Sequence, residues 1–200
     1  DKEDKVRSNS AYAIGQLAER GRGEESSLGP LNGLLSDENK FVRSAAAYAI
    51  GFLAQISIGT RDSLQPLNDM LRIEDYYGQD MASNALGNLA EMGIGSKDSL
   101  LILIKLLDTN DSWFKSSVAH AISALAKMGI GDGKAIPLLN ELIFDDNLLL
   151  KLYSILAIRN LAEIGICDAS SIGLLEKMPD DVQMNDLVES TIKSIKHRLQ

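Results

Sequence analysis

Two histidines and one cysteine are the residues of this 200-residue chain best suited to proton transfer, nucleophilic attack or metal binding near neutral pH. They are His120, His197 and Cys167. A di-metal centre needs several His and carboxylate ligands converging, yet His120 is followed by Ala121 and His197 by Arg198. Zinc is no better served by a single cysteine. The Cys167 thiol precedes Asp168, whose negative charge works against a reactive thiolate. Asp145–Asp146 and Asp180–Asp181 are acidic pairs in turns, where solvated helix starts explain them. Asp69 and Glu141 stand two repeats apart, too far to share a proton. No Ser-His-Asp or Cys-His arrangement can be assembled, and the G-x-G turns lack the lysine and strand of a phosphate loop. The expectation is a protein without catalysis, metal or cofactor.

The elements that carry these residues are helical. Apolar residues make up 45% of the chain and charged ones 24%, ordinary for a folded protein, while aromatics are only 5% and prolines four. Abundant Ala and Leu disfavour a β-sandwich or barrel. No apolar run approaches the roughly 20 residues of a membrane helix. A lone cysteine suits a reducing compartment, so an intracellular, cytoplasmic protein is expected. The net charge of −8 argues against unspecific phosphate binding. The chain opens at Asp1 without a methionine and reads as a fragment, although a polar first helix suits a start close by.

A period of 36 residues decides the architecture. Leu17, Leu53, Leu89, Leu125 and Leu161 recur at that spacing, as do Ala18, Ala54, Ala90, Ala126 and Ala162. Ala13, Ala49, Ala85, Ala121 and Ala157 form a third column, and Leu31, Leu67, Leu103, Leu139 and Leu175 a fourth. Within the second unit Val42, Ala46, Ala49, Leu53 and Ile56 share one helical face. A break follows, written M-G-I-G at 92–95 and 128–131. Gly93, Gly129 and Gly165 suit the left-handed position that ends a helix. Thr60, Ser96, Asp132 and Asp168 supply cap oxygens for the next helix. Each unit is a hairpin of a helix A of about four turns and a helix B of about three. Hairpins with two apolar faces must stack.

The predicted fold is all-α: a right-handed α-solenoid of five hairpins, at about 1–36, 37–72, 73–108, 109–144 and 145–180, in one domain. A capping helix at about 184–199 closes it through Leu187, Val188, Ile192, Ile195 and Leu199. At the other end Asn9 and Ser10 replace the Ala45 and Ala46 of the second unit.

The unit V-R-S-A-A-A-Y-A-I-G at 42–51, with its glycine turn and L-x-x-L helix, resembles a HEAT repeat. G-D-G-K-A-I-P-L-L at 131–139 is most similar to the HEAT-like units of phycobilisome-lyase-type proteins. The resemblance implies an Asp–Arg ladder along the stack. Asp1 with Arg7, Asp37 with Arg43 and, more weakly, Asp145 with Lys151 match it. Ile73 with Gln79 and Thr109 with Lys115 do not, so the ladder should break at mid-rod. The HEAT-repeat di-iron hydroxylases carry repeated His-Glu pairs, which are missing here. The fold itself serves many functions.

Function therefore rests on surfaces. In HEAT stacks the B helices usually line the concave side. The column Gly33, Asp69, Lys105, Glu141 and Lys177 is mixed in sign, which speaks against nucleic acid. Gln65, Asn68, Leu101, Ile104, Lys105, Asn140, Glu141 and Phe144 are the expected partner-binding residues, an apolar centre inside a polar rim. Phe41, Tyr77 and Trp113, 36 residues apart with Leu149 beyond, offer an alternative edge patch, or staples between layers. The expected function is a non-catalytic scaffold for a neutral or basic peptide or helix of a protein partner, without nucleic acid or membrane. The oligomeric state is left open. The alternative is a lyase- or chaperone-like accessory acting on a cofactor-carrying protein.

Overall fold

A computed structural model describes residues 3–73, 75–109, 111–179 and 184–200. Long and short helices alternate along it. The long A row is α1 (Asp4–Glu19), α3 (Lys40–Gln55), α5 (Tyr76–Glu91), α7 (Ser112–Lys127) and α9 (Leu148–Glu163). Each of these has 16 residues. The B row is α2 (Leu28–Leu34), α4 (Leu64–Leu71), α6 (Lys97–Leu106), α8 (Ala135–Leu142) and α10 (Ser170–Leu175). A last helix, α11 (Asn185–Arg198), packs on α9. Among the described residues there is no strand, and no helix is long and apolar enough to cross a membrane.

The B helices are shorter than the spacing predicts, six to ten residues long. The turn before them consumes the difference. In α5 the Gly93 N–H donates to Ala90 (2.9 Å) and the Ile94 N–H to Leu89 (2.9 Å), a Schellman closure that recurs after every A helix. Gly21, Gly93, Gly129 and Gly165 have φ between 74° and 86°, as their role requires. Ser57 holds the same place at φ 64°. Because a side chain there costs about 1 kcal/mol, Ser57→Gly should stabilise the protein by roughly 0.5–1 kcal/mol after the entropic cost of glycine. Denaturant titration of the two proteins reads the difference. Thr60, Ser96, Asp132 and Asp168 each accept a backbone N–H two or three residues on, as expected of caps.

The leucine and alanine columns form one continuous core running the length of the stack. In α3, Val42, Ala46, Ala49 and Leu53 are wholly buried. Helices of the A row meet along their lengths because Ala and Gly stand at their contacts; B helices touch their B neighbours only locally. The A helices thus form one continuous row of contacts from α1 to α9.

The ladder runs between layers rather than within a unit. The Arg7 guanidinium donates twice to Asp37, at 2.7 and 3.0 Å. That pairing holds the Asp37 carboxyl below the usual range. Arg43 donates to the Asp37 carbonyl at 2.9 Å and lies 3.7 Å from Asp75 in the next turn. Further on the ions stop, as anticipated: Gln79 donates to the Leu71 carbonyl (2.8 Å) and Ser112 to Asp145 (3.0 Å). Lys151 forms no ion pair with Asp145. Asp1, Asp180 and Asp181 lie outside the described residues.

Candidate functional site

The best-defined hollow opens on the A row. Glycine occupies Gly15, Gly51 and Gly87, in the middle of three successive A helices, at a cost to helix stability. Each lets the next layer close in. A Cβ at Gly15 would come within 2.5 Å of the Tyr48 ring, and one at Gly87 within 2.5 Å of the His120 ring. At Gly51 the carbonyl accepts from Asn88 Nδ2 at 3.1 Å. The Tyr48 and His120 rings therefore sit over glycines of the preceding layer.

Tyr48 stacks on Tyr12 at 4.9 Å between centroids and meets Phe52 at 4.7 Å. Two layers away His120 meets Tyr153 at 4.9 Å. Between these two aromatic pairs α5 contributes only Met81, Asn84, Ala85 and Asn88, leaving a pocket of about 370 Å³. Its walls are aromatic and its rim carries the amides of Gln55, Asn84 and Asn88. Such a mixture of apolar walls and a few oriented polar groups is the usual make-up of a recognition pocket.

A polar chain lies beside it. Asn84 Nδ2 donates to Ser117 Oγ at 2.9 Å, and Ser117 Oγ donates to Asp80 Oδ1 at 2.5 Å. Burial raises the Asp80 carboxyl above its usual range, the Asp111 charge adds to this, and the Ser117 hydroxyl opposes it. A carboxyl raised on folding costs stability above its unfolded value near pH 4 and costs nothing below it. Asp80→Asn keeps an acceptor for Ser117 and should raise the melting temperature at pH 7 by about 2 °C. That gain should vanish toward pH 3.5, as thermal melts across the range would show. Burial likewise lowers the His120 imidazole, with Glu91 opposing, which keeps the ring neutral at pH 7.

Several residues expected at the partner site lie elsewhere. Asn68, Ile104 and Asn140 are buried between B helices and cannot line a groove. In the first layer the column is bonded, Ser63 Oγ donating to Asn32 Oδ1 at 2.8 Å, whereas the Asn68 and Asn140 Oδ1 atoms are buried without a hydrogen-bond partner. Gln65, Leu101, Lys105, Glu141 and Phe144 are exposed on the B row, outside the pocket. Asp69 pairs with Gln65 (2.8 Å) and Arg72 (2.7 Å), and no cavity brings it to Glu141. Phe41, Tyr77 and Trp113 are 62%, 60% and 73% exposed, so they are not staples between layers. Cys167 is a half-buried free thiol. No group of three His, Cys, Asp or Glu side chains among the described residues could hold a metal ion. The A-row pocket itself escaped the sequence reading. Its signal was the pairing of Gly15 with Tyr48 and of Gly87 with His120, each ring 33 residues after its glycine.

Residues 1–79 match the family model described as HEAT repeats. The first two units are thus similar to HEAT repeats. No curated protein matches the chain in sequence. Solved structures extend the HEAT-like architecture over the whole length. An engineered protein from a structural genomics consortium superposes with a TM-score of 0.76 at 20% identity, covering 99% of this chain and 93% of its own. A designed armadillo repeat protein gives 0.70 at 18% identity, with 98% and 95% covered. Another, solved in complex with the peptide (KR)4, gives 0.66 at 20% identity, with 96% and 91% covered. At these identities the likeness of the chain to them is one of fold.

Proposed function

We propose that the chain is a non-catalytic protein-binding scaffold that holds a peptide or helical segment of a partner across its A-row face. One apolar side chain of that segment sits in the pocket between Tyr48–Phe52 and His120–Tyr153. The observation that carries this reading is the ring-walled hollow at the middle of a continuous face. The rings are fixed by glycine slots and by each other, so little ordering entropy is lost on binding. Anchors of this kind, buried at the centre and ringed by polar groups, dominate interface energies. The net charge of −8 favours a neutral or basic partner and speeds its encounter. A protein of the same fold was solved with a cationic peptide, which supports a peptide as the occupant.

Selection from a displayed library of linear and helical peptides tests this. Selected peptides should bind wild type and lose at least tenfold in affinity for a Phe52→Arg, Tyr153→Arg double variant, since an anchor is worth about 2 kcal/mol or more. A Leu101→Arg, Phe144→Arg variant on the B row should bind as wild type does. Both variants must first show wild-type helicity and melting. Loss on the B-row variant alone would overturn the assignment of the face.

A further inference from the structure

A second surface lies on the edge where the A helices begin. Phe41, Tyr77 and Trp113 are each the second residue of their helix, so the repeat sets them in a row along this edge. Leu148 and Leu149 extend it on α9 and are exposed as well. Large apolar side chains held in water at a regular spacing mark an interaction surface. The charges between them state which partner.

At the first rings the carboxylates are occupied: Asp37 is paired with Arg7, and Asp75 faces Arg43. Around Trp113 their partners are neutral: Ser112 Oγ and the Asn147 N–H donate to Asp145, and backbone N–H groups to Asp111. Among the described residues Asp108, Asp111, Asp145 and Asp146 form no ion pair. Asp145, Asp146, Trp113 and Leu149 border one open depression of about 510 Å³. The helix N-termini contribute about half a positive charge each, and Asp111 caps that of α7. Lys115 and Lys151 lie one turn further along α7 and α9, leaving this stretch net negative. The row already holds one ammonium, since Lys40 Nζ stands 5.4 Å from the centre of the Phe41 ring. An indole face is a better acceptor for a cation than a phenyl ring.

We infer that this edge is a docking site for a lysine- or arginine-bearing segment of a protein partner. One cationic side chain lies over the Trp113 indole with its charge toward Asp145 and Asp146, and flanking apolar carbons rest on Leu149. Tyr77 continues the track one layer on. This surface is distinct from the A-row pocket, and either stands without the other.

Trp113 is the only tryptophan, so its emission reports on this edge alone. The probe is an eight-residue peptide of alternating Lys and Arg, end-blocked, with octa-Glu and Gly-Ser octapeptides as comparators. The cationic peptide alone should shift and quench the emission saturably, and more weakly at about 300 mM than at about 50 mM salt, where the Debye length is about 6 Å and about 14 Å. Followed by anisotropy of a labelled peptide, Trp113→Ala should weaken binding about fivefold. Asp145→Asn with Asp146→Asn should weaken it about tenfold, and Gln65→Ala on the exposed B row should leave it unchanged. Binding without an emission change, or binding that survives Trp113→Ala, would place the peptide elsewhere and overturn the proposal. No binding, or equal binding of the comparators, would overturn it too. An emission shift that depends on protein concentration alone would assign the edge to a second copy of the chain instead.

Discussion

Leu89→Ala should destabilise the protein by about 2–5 kcal/mol, whereas Leu17→Ala, at the same place in its repeat, should cost under about 1 kcal/mol. Both leucines close the last turn of an A helix. Leu89 is fully buried, enclosed by the layers before and after it. Leu17 lies on α1 and is 49% exposed. Truncating Leu89 removes methyl groups from the core and leaves a hollow that packed alanine columns cannot collapse to fill. Truncating Leu17 returns to water a side chain that water already reaches. Thermal and urea unfolding of both variants would check the difference. Equal losses would mean that Leu17 is covered by something further.

Gly95→Val should cost about 1–3 kcal/mol, although residue 95 lies in a turn with an ordinary φ. A Cβ there would stand 2.5 Å from Leu125 Cδ2 and 3.1 Å from the Met128 sulfur, both of the following layer. Gly59 and Gly131 meet Leu89 and Leu161 in the same way. The glycine is a notch into which the next repeat's column leucine fits. Cys167 occupies the corresponding place in the fifth unit, where α11 follows instead of another hairpin. Cys167→Gly should accordingly change stability by less than about 0.5 kcal/mol. A pair of melts on Gly95→Val and Cys167→Gly tests both halves of this account. A neutral Gly95→Val would show that the stack slides to admit the larger side chain.

The period of 36, the helix faces, the left-handed glycines and the cap residues were legible because each is a local requirement repeated five times. The A-row pocket was not. Its walls come from α3, α5, α7 and α9, and no single hairpin contains it. Asn68 and Asn140 misled for a related reason: amides between core leucines look like a wet flank until a neighbouring layer covers them. Tyr48 and His120 stood in a column of unlike residues, and only the glycine beneath each ring explains why a ring belongs there.

The Arg7–Asp37 and Arg43–Asp75 contacts lie half-buried at the first two joints, whereas the third carries only the solvent-exposed Lys127–Glu91 pair, which contributes little. The stack is a series of joints, each touching only its neighbours, so their compliances add. Salt acts on charged joints alone. Raising ionic strength should loosen one end of the rod while the other keeps its stiffness, and amide hydrogen exchange would then quicken from the α1 end inward.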